Sequence, residues 1–98
     1  MKLAIATCMS LFISIGAYSA DIAQGKTKAA ACAACHGANG ISNNPEWPNL
    51  AGQKEAYLRN QIIAFRDGAR TNAMMAPMAK SLSDDDAANI AAYFASLK

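Results

Sequence analysis

The sequence lacks any apolar run of the roughly 20 residues that a membrane-spanning helix requires. It also lacks the alternation of apolar and polar residues that marks strands, which removes the βαβ framework on which a redox-active dithiol normally sits. Charge of one sign is missing too: 9 basic against 7 acidic side chains give a net charge of +2. That is far from the basic field a nucleic-acid binder needs. Histidine occurs once and cysteine three times, so any site built from them is tightly constrained.

One of those cysteines belongs to a separate opening segment. Lys2 is followed by an apolar stretch over residues 3–17 and then by small residues, the layout of a cleaved export signal. Cleavage after Ser19 places Ala17 at the third position before the cut, whereas cleavage after Ala20 places bulky Tyr18 there. We therefore read residues 1–19 as the signal, with Ala20/Asp21 the next choice, and 20–98 as a single domain. Cys8 leaves with the signal. Loss of Lys2 leaves eight basic against seven acidic side chains, a nearly neutral domain without stable membrane insertion. So small a domain commonly needs a disulfide, a metal or a cofactor for stability.

The pattern predicts an all-α domain with three main helices. The first spans residues 22–34, opened by Asp21 as cap with Gln24 as a capping-box partner, and its alanine run has the highest helix propensity available. Residues 37–53, "GANGISNNPEWPNLAGQ", read as loop, and a loop that long in a small domain suggests a wrapped ligand. A second helix covers 54–67, with Leu58, Ile62 and Phe65 on one face and Gly68 as its stop. After a loop interrupted by Pro77, the last helix opens at Ser83. Asp84, Asp85 and Asp86 then sit in its first turn, where carboxylates complement the helix dipole; helix capping explains this run better than a cation site does. Ala87, Ile90, Ala91, Phe94 and Leu97 form its apolar stripe.

The chemistry concentrates in "CAACH", Cys32 to His36. A disulfide between Cys32 and Cys35 closes too short a loop to add much stability and leaves the histidine unexplained. Zinc needs four Cys or His ligands, and the exported chain offers three. Covalent haem attachment fits the C-x-x-C-H spacing: two thiols fix the macrocycle against a helix end and the adjacent imidazole becomes an axial ligand. With one histidine, coordination by two histidines of the same chain is excluded. The thioethers of Met74, Met75 and Met78 remain for the sixth position, and at most one of them binds iron while the others pack.

Residues 21–98 resemble the small bacterial class I cytochromes c, most closely the cytochrome c553 and cytochrome c4-domain group. The resemblance is carried by "GKTKAAACAACHGANG", "PNLAGQ", "YLRNQIIAFRDGARTNAMM" and "LSDDDAANIAAYFASL" in that order. It implies a class I cytochrome c fold wrapped around one haem c bound through Cys32 and Cys35, with His36 as proximal ligand. The family's distal methionine precedes by seven residues the leucine before the last helix; Leu82 holds that place and selects Met75, ahead of Met78 and then Met74. The resemblance also implies that the Pro48 carbonyl receives the His36 imidazole N–H and that Leu50 packs on the haem. Gly25 is placed where the last helix crosses, against Tyr93 rather than Phe94. Arg70 and Asn72 are expected to hold the ligand loop or approach a propionate, and Trp47 to sit half-buried in its loop.

The implied function is electron transfer, not catalysis: a soluble periplasmic monohaem carrier passing single electrons through a His/Met-ligated iron between transient redox partners, as a monomer. The alternatives are a haem subunit of a larger oxidoreductase and, third, an open-site haem enzyme or gas sensor. The near-neutral charge argues against strong electrostatic steering of the partner.

Overall fold

Asp21 starts the first helix by accepting the Gln24 N–H on its carboxylate. The computed structural model describes residues 18–98; the expected signal over residues 1–19 lies, apart from Tyr18 and Ser19, outside the described residues. Five helices follow in order: α1 (Ile22–Lys28), α2 (Ala30–His36), α3 (Glu55–Asp67), α4 (Met75–Ala79) and α5 (Asp84–Ser96). All regular elements among the described residues are helical, the class the sequence pattern predicts. None is long and apolar enough to cross a membrane.

Three local features differ from the sequence expectation. The first helix is broken at Ala29 into α1 and α2 and runs on to His36. Alanine propensity carries straight through this point, so the break is set by packing: Ala29 is only 2% exposed and joins the buried cluster of Leu58, Ile90, Ala91, Tyr93 and Phe94. Asp21 caps α1 with its side chain, but its own backbone N–H goes to Asn89 Oδ1 at 2.8 Å instead of to Gln24. The segment read as a loop around Pro77 contains α4, with Pro77 as its third residue. A proline costs little there, because first-turn N–H groups have no helical partner in any case.

The α1–α5 crossing organises the molecule. A Cβ on Gly25 would lie 1.9 Å from the Asn89 carbonyl oxygen and 3.0 Å from Tyr93 Cβ, so only glycine lets the two backbones approach this closely. The expected pairing of Gly25 with Tyr93 is therefore found. From α3, buried Leu58 joins the cluster with Ile90, Ala91 and Phe94 of α5, and half-buried Ile62 packs against it.

Capping and ion pairing fix the remaining ends. Ser83 and Asp86 form a reciprocal capping box at the start of α5. Arg66, near the end of α3, donates to the Leu82 carbonyl and to Asp84 at 3.2 and 2.7 Å, joining α3 to the entrance of α5. The protein's own core is small: the largest fully buried side chains are Phe94 and Ile90, and most of the rest is alanine.

Candidate haem site

Cys32, Cys35 and His36 all project from the short α2, which ends at His36. Cys32 and Cys35 are three residues apart, so they share one face of the helix. Both thiols are free and half-buried. Burial pushes the Cys32 thiol above its ordinary value, so it is a neutral thiol at neutral pH. Around them the helix presents only alanine, leaving space beside that face.

His36 is 7% exposed, and its Nδ1 lies 2.8 Å from the Pro48 carbonyl oxygen. A carbonyl can only accept, so Nδ1 carries the proton and Nε2 of the neutral ring keeps a lone pair. Among the described residues no group bonds Nε2, yet it is not a buried orphan. The imidazole is thus fixed in tautomer and orientation, with one nitrogen free to ligate.

The loop over residues 37–53 is built to place Pro48. Gly40 adopts φ +74°, and its carbonyl accepts the N–H groups of both Leu50 and Ala51 at 2.8 and 3.0 Å. A Cβ on Gly40 would come within 2.8 Å of the Ala51 nitrogen. Asn49 Oδ1 receives the Ser42 N–H at 2.8 Å, and the Trp47 N–H reaches the Asn44 carbonyl at 3.0 Å. Two bonds tie this loop to α5: Gly52 N–H to the Phe94 carbonyl at 3.0 Å, and the Tyr93 hydroxyl to the Ala38 carbonyl at 3.3 Å. Trp47 is half-buried, as expected, and lines a cleft of about 330 Å³ that also includes Cys35 and Asn44.

The methionines lie on the segment that contains α4. Met75 is its first residue and is half-buried, whereas Met74 and Met78 are 54% and 47% exposed. Asn72 Oδ1 accepts the N–H groups of Met74 and Met75 at 2.9 and 3.0 Å. Arg70 lies 4.5 Å from the centroid of the Phe65 ring and donates to Gln61 Oε1 at 2.8 Å. Both residues therefore hold the loop, one of the two roles expected of them, with Arg70 working through α3. The sequence reading missed Asn89, which is 3% exposed and accepts from the Tyr18 hydroxyl as well as from the Asp21 N–H. Its only signal is an amide in an otherwise apolar helix face.

The residues fit a covalently held haem by their own chemistry. Two unpaired thiols on one helix face, an adjacent imidazole with its second nitrogen uncommitted, and thioethers on and beside α4 are donors of the kinds that one iron porphyrin takes.

The family model for cytochrome c matches residues 22–98. Cytochrome c4 of Pseudomonas aeruginosa is 48% identical over 98 residues, covering 99% of this chain and 49% of that protein. Cytochrome c-554(548) of Halomonas halodenitrificans is 49% identical over 79 residues, covering 78% of this chain and 95% of that protein. A thiosulfate dehydrogenase electron acceptor of Thiomonas intermedia is 45% identical over 97 residues, covering 98% of this chain and 43% of that protein. Among solved structures, reduced recombinant cytochrome c4 from Pseudomonas stutzeri superposes with a TM-score of 0.77 at 40% identity, over 82% of this chain and 47% of that one. The chain thus spans about half the length of the cytochrome c4 relatives and nearly all of the Halomonas cytochrome. With the fold, the C-x-x-C-H spacing and these relatives in agreement, the chain belongs to the cytochrome c family as a class I c-type cytochrome with covalently bound haem c.

Proposed function

We propose that this protein is a periplasmic monohaem carrier in which Cys32 and Cys35 hold haem c, and His36 Nε2 and Met75 Sδ are the axial ligands. The observation that carries this reading is the His36–Pro48 bond, 2.8 Å long, which orients the ring and makes Nε2 the better donor. Met75 is favoured over Met74 and Met78 because it is the half-buried one of the three and the first residue of α4. Residues 1–19 act as the export signal. Removing them takes away the Tyr18 hydroxyl bond but keeps the Asp21 bond to Asn89.

Haem c supplies a one-electron couple, and a histidine–methionine pair favours its reduced form relative to two histidines. The chain's task is to keep that couple from moving anything else. Pro48 holds the imidazole, Asn72 holds the start of α4, and the bonds from Gly52 and Tyr93 pin the proximal loop to α5. No acid, base or nucleophile is required of any residue. The small residues Ala33, Ala34, Gly37 and Ala38 beside Cys35 suit a brief apolar contact with a redox partner. A weak, quickly released interface is what a carrier needs.

The second reading is a bound subunit of a larger oxidoreductase, supported by the similarity to thiosulfate dehydrogenase electron acceptors. Gel filtration of a native extract separates the two: a free carrier elutes at the monomer position, a subunit with its enzyme. The carrier reading also expects a c-type reduced spectrum that carbon monoxide leaves unchanged. A spectrum altered by carbon monoxide would mean an open iron and overturn it.

A further inference from the structure

The start of α4 is held by one side chain that lies outside the helix. A helix of 5 residues cannot sustain itself in water, and its first N–H groups have no helical partners. Met74, which flanks it, supplies no capping side chain. Asn72 supplies the cap: its Oδ1 receives the N–H groups of Met74 and Met75 at 2.9 and 3.0 Å, and its carbonyl receives the Ala76 N–H at 3.0 Å. Three consecutive amides centred on Met75 therefore converge on a single residue.

Asn72 is itself referred to a rigid element. Two residues earlier, the Arg70 N–H bonds the Ala64 carbonyl at 3.1 Å, while its guanidinium lies over Phe65 and bonds Gln61. Ala64, Phe65 and Gln61 all belong to α3, and Phe65 is buried. The position of the Met75 backbone is thus transmitted from α3 through Arg70 and Asn72. The Asn72 bonds are exposed to solvent, so their strength is that of an ordinary helix cap.

We propose that Asn72 is a positioning residue for the sixth ligand: by fixing the Met75 amide it sets how strongly the thioether resists replacement by an outside ligand. The inference rests on the reading of Met75 as that ligand. An incoming base binds only when the thioether is away, so its apparent affinity is scaled by the fraction of open sites.

The test is a titration of the ferric holoprotein with imidazole, followed in the visible spectrum. Loss of a typical cap corresponds to about a fivefold change in equilibrium, so Asn72→Ala is expected to bind imidazole about fivefold more tightly. Asn72→Asp, which keeps an acceptor oxygen in the same place, is expected to return the affinity to that of the parent. Ser83→Ala removes the cap of α5 and serves as the control for general loosening: its thermal midpoint falls while its imidazole affinity stays put. If Asn72→Ala fails to accumulate, Asn72→Gln, whose acceptor is one methylene too far along, is measured in its place with the same expectation. Unchanged imidazole affinity on removing the cap, or an equal gain in Ser83→Ala, overturns the role assigned to Asn72. The ligand reading fails separately, and the Asn72 role with it, if Met75→Ala keeps the near-infrared ferric band and Met78→Ala loses it.

Discussion

At the scale of single residues, two contacts constrain the site most. The His36–Pro48 bond uses a backbone carbonyl, so no side-chain substitution at Pro48 removes the acceptor itself; only a shift of the loop does. Gly25 is the more easily tested. An alanine Cβ there would stand 1.9 Å from one backbone oxygen and 3.0 Å from Tyr93 Cβ, and backbone cannot step aside as a side-chain tip can. Overpacking of this kind costs about 1–3 kcal/mol. Gly25→Ala is expected near the upper end of that range, measured by denaturant unfolding of the ferric protein; a loss below the range would show that α1 and α5 separate freely. Gly25 was legible in the sequence because the resemblance gave it a role. Asn89 was not, because its partners at Tyr18 and Asp21 are about 70 positions away in the chain and a lone amide in a helix announces no partner.

Among the elements, α5 was the most legible, since its cap, its acidic first turn and its apolar stripe all agree. The break at Ala29 and the existence of α4 were hidden for opposite reasons. Alanine propensity conceals a turn that only packing demands, and Pro77 suggests an interruption where it in fact occupies a first turn. The capping box at Ser83 gives two expectations. Ser83→Ala should lose about 1 kcal/mol of stability, visible as a lower denaturation midpoint. The bond from the Ser83 N–H, followed by the charge of Lys28, holds the Asp86 carboxyl below its ordinary value. A carboxyl depressed in the folded state stabilises at pH values above its unfolded value, and that contribution disappears as the pH falls through the folded one. Asp86→Asn is therefore expected to narrow its stability gap to the parent as acid is added below about pH 4. A gap that stays constant down the acid limb would count against this bond.

For the molecule as a whole, the few large side chains in the core mean that the protein alone encloses little. Among the described residues, Phe94 and Ile90 are the largest fully buried side chains, and alanines make up much of the remaining core. A domain this size with so slight a core depends on its cofactor. The double substitution Cys32→Ser, Cys35→Ser, which blocks covalent attachment, is expected to lose most of the helical far-ultraviolet signal of the holoprotein. A fully helical, cooperatively unfolding apoprotein would show that the helices stand without haem. The bond between His36 and Pro48 was legible because the resemblance implies it, and the structure has it at 2.8 Å. The choice among three neighbouring methionines rested on the resemblance alone, through the spacing of Met75 to Leu82, because residue type does not separate them.

The central claim is that Met75 and His36 share one iron. It is tested most directly by the ferric near-infrared spectrum of the exported protein, compared with Met75→Ala and Met78→Ala. The weak band that reports methionine sulfur on iron is expected in the parent and in Met78→Ala, and absent from Met75→Ala. A band that survives in Met75→Ala, or is missing from the parent, would contradict it.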